Sequence, residues 1–299
     1  MADKPKPAAP KPAAPPKKSA GSKVDVATLA GLVIAIGGIV LGLVLEGGSI
    51  REIMQPTAAL IVLGGTIGAV LVTTPLRILS QAAGGIVSVF VEKTHSPAAI
   101  IEQIITLASK ARKNGIVSLE SDAEAVEDPF LRKALNLAVD GTDLQEIRKM
   151  MELDMSIEEH RSDMQAKVFD AAGGYSPTIG IIGAVLGLIQ VMKHLEDINE
   201  VGRGIAVAFV ATIYGVALAN IVFLPSGSKI RARAHSATQI RELMLEGVAG
   251  IVEGLNPKLI RTKLEAYAPV EPAKPKIKKK PEPSRAPAQA ASAPRAASE

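Results

Sequence analysis

Four stretches of this chain, residues 26–45, 53–76, 171–192 and 204–228, contain no Asp, Glu, Lys, Arg or His. A hydrocarbon core of about 30 Å is crossed by about 20 apolar residues in helical form. Each run reaches that length, and a charge at the centre of such a helix costs about 2.5–3.5 kcal/mol on insertion scales. Four uncharged runs in 299 residues therefore predict four membrane spans, not buried helices of a water-soluble fold. The first run is too long for a secretory signal core and follows a polar tail, so it reads as a retained span.

The ends of the chain are of a different kind. The chain carries +4 overall, but residues 1–23 carry +5 and residues 266–299 carry +4, which leaves −5 for the 242 residues between them. The tails also hold 13 of the 20 prolines, mixed with Ala and Lys. Such segments lack the apolar side chains that offset ordering entropy and are expected to be disordered. The basic pI of 9.2 thus belongs to the tails, and a nucleic-acid partner is not expected.

The Lys and Arg distribution sets the topology. Six lie in the N-terminal tail, one in the loop 46–52, eleven in 77–170, two in 193–203 and fourteen after residue 228. By the positive-inside bias, both termini and the long middle segment are cytoplasmic. The expected fold is an all-α integral membrane protein. A first hairpin (24–76) is followed by a helical cytoplasmic domain (77–170), a second hairpin (171–228) and C-terminal cytoplasmic helices (229–265), with tails at 1–23 and 266–299.

Ser96-Pro97 and Asp128-Pro129 read as helix starts, and Asn114-Gly115 and Gly141 as stops. Thr142 with Gln145 reads as a capping box, opening one long helix that runs into the third span. Asn256-Pro257 starts a last short helix, and nothing reads as a sheet. Glycines four apart, Gly38 and Gly42, Gly64 and Gly68, Gly183 and Gly187, suggest close helix packing within the chain.

The chemistry of the spans is defined by what they lack. A proton pathway normally keeps an intramembrane carboxylate, and none of the four runs has one, so either the chain conducts nothing or another subunit brings the acid. With no cysteine, thiolate chemistry and Cys-ligated metals are excluded. The four histidines, at 95, 160, 194 and 235, form no local ligand motif. There is no phosphate loop and no nucleophile signature, so neither an enzyme nor a cofactor is expected. Polar groups cluster at Tyr175, Ser176, Pro177 and Thr178 and at Thr212, Tyr214 and Asn220. Pro177 can simply mark a first helical turn, and Thr212 can bond back to its own helix.

The run Gly173-Gly-Tyr-Ser-Pro-Thr-Ile-Gly-Ile-Ile-Gly-Ala-Val-Leu-Gly-Leu-Ile189 and the run Gly204-Ile-Ala-Val-Ala-Phe-Val-Ala-Thr-Ile-Tyr-Gly-Val-Ala-Leu-Ala-Asn220 resemble the third and fourth spans of MotA-type flagellar motor stator subunits, in the MotA/TolQ/ExbB proton channel family. Ala27-Thr-Leu-Ala-Gly-Leu, Leu63-Gly-Gly-Thr-Ile-Gly-Ala69 and Asp128-Pro-Phe-Leu-Arg-Lys extend the likeness over roughly residues 24–266. The resemblance implies a ring, a pentamer, around a single-span MotB-like partner whose membrane Asp supplies the missing acid. It implies torque on the rotor protein FliG, a bacterial inner-membrane location and a proton as coupling ion. It places Pro177, Thr178, Ala184, Thr212, Tyr214 and Pro225 along the ion path and its coupling elements, and Arg112, Lys113 and Glu120 at the rotor. Pro225 would also break the fourth span on steric grounds. Two departures stand out. Ala184 occupies a position where sodium-driven members have Thr, a hydroxyl ligand for a hard cation, which makes sodium the poorer choice. Ser121 stands where some members have an acid. The alternatives are a TolQ- or ExbB-like energiser, disfavoured by four spans in two hairpins, and a non-conducting scaffold.

Overall fold

The computed structural model describes residues 20–267. The tails expected to be disordered lie outside these residues, apart from their inner edges. One such edge corrects the expectation. Ala20–Val24 forms strand β1, which pairs antiparallel with β2, Val91–His95, so a small two-stranded ribbon stands where no sheet was expected. The pairing joins segments about 70 residues apart in sequence, and local periodicity carries no sign of such a partner.

Four helices among the described residues are long and apolar enough to cross a membrane. The first is α1, Val26–Leu45, capped by Asp25. A short α2, Ile50–Ile53, leads to α3, Pro56–Thr73, whose proline occupies the first turn, where no intrahelical N–H is needed. Along α3 the buried residues are Ala58, Val62, Thr66 and Val70, four apart, so a single stripe of that helix faces the rest of the bundle. The amphipathic α4, Leu76–Phe90, buries Ala82, Gly85 and Val89 and leaves Leu76, Ile86 and Val87 exposed.

The helices α5, Pro97–Asn114, α6, Glu120–Ala125, and α7, Pro129–Val139, follow. Gly115 and Gly141, with φ of 83° and 76°, end α5 and α7 in the left-handed region. Next comes α8, Leu144–Lys193, a single 50-residue helix about 75 Å long at 1.5 Å per residue. Its cap is not the Thr142 box expected from the sequence. Asp143 accepts from the Gln145 N–H at 2.8 Å, while the Thr142 N–H closes the end of α7 on the Leu137 carbonyl. The Schellman-like turn at Gly141 uses up Thr142, so the next polar residue takes the cap.

The chain returns through α9, Ile198–Ala217, a π-helical segment at Leu218–Phe223, and α10, Leu224–Val252. Helix α11, Pro257–Glu265, closes the fold. Pro225 does not break the fourth span, as had been expected. The wider π turn just ahead of it absorbs the missing N–H and ring bulk, and the helix runs on from Ile198 to Val252.

Below the spans, α5, α7, the start of α8, the end of α10 and α11 enclose one apolar core. Ile104, Leu131, Leu135, Ile147, Met151, Leu243, Met244, Ile260 and Leu264 are almost wholly buried there. Ion pairs clasp this core from outside: Glu102 with Arg261 at 2.6 Å, and Glu246 with Arg148 at 3.1 Å and with Lys263. Arg241 lies 5.8 Å from the centre of the Phe130 ring, within cation–π range.

Candidate functional site

The third and fourth spans meet along glycine. A methyl group built on Gly180 would sit 2.9 Å from the Ala211 carbonyl oxygen, one on Gly187 would meet the Gly204 oxygen at 2.8 Å, and one on Gly215 would meet the Ser176 oxygen at 2.6 Å. With no side chain between them the two backbones touch, the arrangement that stabilises helix pairs where lipid supplies no hydrophobic drive. The expectation for the other glycine pairs is corrected. Gly38, Gly42, Gly64 and Gly68 have nothing within 4 Å of the Cβ position. They face away from the chain's own helices, because a four-residue spacing says that a face is small and not which way it points.

The polar residues of the second hairpin do not gather in one place. Thr212 and Thr178 bond to their own helix, Thr212 Oγ1 donating to the Ala208 carbonyl at 3.2 Å and Thr178 Oγ1 to the Tyr175 carbonyl at 2.8 Å. Asn220 likewise donates to the Val216 carbonyl at 2.9 Å, within the π turn. Tyr214 points elsewhere, toward the first hairpin. Its hydroxyl donates to the Ile53 carbonyl and accepts from the Gln55 N–H, and its ring packs on the cluster of Ala58, Val62, Val210 and Ala211. Pro177 lies inside α8, half-buried, and its Cα is the third neighbour of the Gly215 Cβ position at 3.2 Å. Lacking an N–H, Pro177 leaves the carbonyl four residues back without its helical partner. The adjoining Ser176 hydroxyl is fully buried with no hydrogen-bond partner, as is that of Thr66 in α3. Ala184 is half-buried on α8, beside Gly183, whose Cβ position meets Ala211. Phe209, 69% exposed, and Ile205 and Ile213, also exposed, give α9 an open apolar face.

A second group lies at the tip of the helical core outside the spans. Arg112 and Lys113 occupy the last turn of α5, and Glu120 opens α6 across a tight turn at Ile116–Leu119. All three are exposed, and exposed Val117 sits between them. The turn is held from both sides. Leu119 is fully buried, and Lys110 pairs with Asp122 at 2.5 Å. Residues eight apart in sequence are thus shown on one exposed corner of a firm support.

Between these groups α8 and α10 are tied by charge. Arg231 reaches Asp163 at 3.1 Å and also pairs with Asp170. Hydrogen bonds from Lys167 and Arg231 hold the Asp163 carboxyl below the usual carboxylate range. His160 and His235, 75 residues apart in sequence, line one groove here with Glu159 and Asp163. No group able to hold a metal ion occurs among the described residues.

Residues 122–243 match the MotA/TolQ/ExbB proton channel family, and residues 29–115 match the N-terminal region of motility protein A. Motility protein A of Bacillus subtilis is 34% identical over 252 residues, covering 83% of this chain and 92% of that protein. Chemotaxis protein PomA of Vibrio alginolyticus is 33% identical, covering 82% of this chain and 95% of its own. Among solved structures, the flagellar MotAB stator complex from Bacillus subtilis superposes with a TM-score of 0.78 at 34% identity, over 82% of this chain and 96% of that one.

Proposed function

Because the chain belongs to the MotA/TolQ/ExbB proton channel family, we propose that it is a membrane-embedded flagellar stator subunit that turns ion flow into torque. The observation that carries this reading is mechanical. The third and fourth spans continue as α8 and α10, without a break, into the core that displays Arg112, Lys113 and Glu120. A displacement between these spans therefore reaches the cytoplasmic tip through helix and packed core, with no flexible linker in between.

The partner in this reading is a single-span MotB-like subunit. Its membrane carboxylate supplies the proton site that the four spans lack, and the exposed face of Phe209, Ile205 and Ile213 is the surface offered to it. Several copies of the chain, five in the family's arrangement, surround that partner in the inner membrane with both termini in the cytoplasm. The charged tip works against FliG. Pro177, Thr178, Ala184, Thr212 and Pro225 serve the ion path and its coupling. Tyr214 serves it indirectly, by fixing the fourth span to the first hairpin.

Ala184 offers no oxygen to a hard cation, so the coupling ion is the proton. Collapse of the proton gradient should stop swimming, and swimming that persists in sodium medium after that collapse refutes the choice. Expressed with its partner in a strain without stators, the chain should restore motility, and changing the partner's membrane Asp to Asn should abolish both ion flux and motility. Arg112→Glu should cut torque while the protein stays in the membrane at its normal level, since Arg112 is solvent-exposed. Unchanged motility would remove Arg112 from the rotor contact.

A further inference from the structure

The first span has little hold on the rest of its own chain. No residue of α1 is buried, and its glycines at 31, 38 and 42 have open space around them. Its polar attachment lies at the cytoplasmic end, at Asp25, a residue only 8% exposed. There one carboxylate oxygen accepts from the Thr28 N–H at 3.1 Å and caps α1. The other oxygen meets Lys229 Nζ at 2.6 Å and Arg233 Nη2 at 2.7 Å, both from α10. The Asp25 backbone N–H donates to the Phe90 carbonyl at 2.8 Å, and Arg233 Nη1 donates to the Val91 carbonyl at 2.6 Å. One turn of α10 thus grips the foot of α1 and the junction of α4 with β2. That turn follows directly on Pro225 and the π segment of the fourth span.

We propose that Asp25 is a positioning residue, a latch through which α10 carries the first span along when the fourth span moves. A carboxylate only 8% exposed, held between two cations, is costlier to leave without its partners than a member of a surface pair. The cap alone does not explain the arrangement. Capping needs only a short side chain with an acceptor oxygen, whereas Lys229 and Arg233 converge on the oxygen that the cap leaves free. The consequence for torque rests on the stator reading, but the latch itself does not.

The roles of cap and latch separate in Asp25→Asn, because asparagine caps a helix as well as aspartate does but carries no charge. The chain has no cysteine, so spin labels at Ala30→Cys and Ala232→Cys report the distance between α1 and α10 directly. The measurement uses the full chain assembled with its partner in lipid, with labelled copies diluted among unlabelled ones. The unaltered latch should give a narrow distance distribution and D25N a broad one. K229Q with R233Q should broaden it further, since Asp25 is then left charged and alone. Adding D25N to that pair should bring the distribution back to the D25N level. Swimming speed should fall in the same order and recover in the same triple variant. A distribution unchanged by D25N, or a triple variant worse than its K229Q and R233Q parent, overturns the latch. Distances that behave as expected while all variants swim normally overturn its part in coupling. If the wild-type chain fails to restore swimming although the distances follow the expected order, the stator reading falls and the latch stands.

Discussion

Replacing Gly215 by alanine is expected to abolish motility and to deplete the assembled complex from the membrane, although only one methyl group is added. That methyl would lie 2.6 Å from the Ser176 carbonyl oxygen and 3.1 Å from the Gly180 Cα. Both are backbone atoms, so no side chain can turn aside, and α8 and α9 must separate. Overfilling a packed core typically costs about 1–3 kcal/mol, and a forced backbone shift along a helix pair lies at the upper end of that range or above it. The internal control is Gly174→Ala. Gly174 is exposed with nothing near its Cβ position, so an added methyl there should be tolerated and should favour the helix by up to about 1 kcal/mol. Membrane levels, recovery of the complex in detergent and swimming of the two variants, side by side, check the prediction. A motile Gly215→Ala strain would mean that the two spans do not meet as described.

Removing Glu246 should have the largest effect on the helical core outside the spans. Its side chain is only 10% exposed and faces Arg148 and Lys263. Burial pushes the carboxyl up, but the hydrogen bonds from Lys263 and Arg148 outweigh it and hold the group below the usual carboxylate value. Glu246→Ala leaves two cations facing each other without their shared anion. Breaking a fully buried pair costs about 3–5 kcal/mol. Lys263 is 45% exposed and can turn to water, so the expected loss is smaller, about 2–3 kcal/mol. Helical circular dichroism during heating in detergent measures it. The pH dependence has a definite sign. A carboxyl whose folded value is depressed adds stability that is fully present above its unfolded value and is lost as pH falls through the folded one. The difference in melting temperature between wild type and Glu246→Ala should therefore be constant near neutrality and shrink in acid. A gap that widens in acid would contradict the ion cluster.

Much of the architecture follows from local rules. Charge-free length shows where helices can lie in lipid, and Pro97, Pro129 and Pro257 at first helical turns, with Gly115 and Gly141 after the last, mark helix ends by sterics alone. These signals need no knowledge of neighbours. Where two polar residues compete to cap one helix, as Thr142 and Asp143 do, the winner depends on how the preceding turn closes, and that takes coordinates. The same limit applies to Tyr214. Its place in the fourth span was legible, whereas its bonds to Ile53 and Gln55, about 160 residues away, were not. His160 and His235 reach one groove only because α8 and α10 lie side by side.

Arg112, Lys113 and Glu120 were marked only by the likeness to a family; from the sequence alone come four spans without an acid of their own and a helical mass on one side of them. Each is a property of composition or of short-range steric preference, and lipid enforces the first with kilocalories per misplaced charge. The tertiary structure decided which glycines touch backbone and which face outward, how a π turn carries the fourth span past Pro225, and that Asp25 answers to Lys229 and Arg233 some 200 residues further on. Those are matters of which surfaces meet, and a one-dimensional pattern holds the period of a helix face but not its partner.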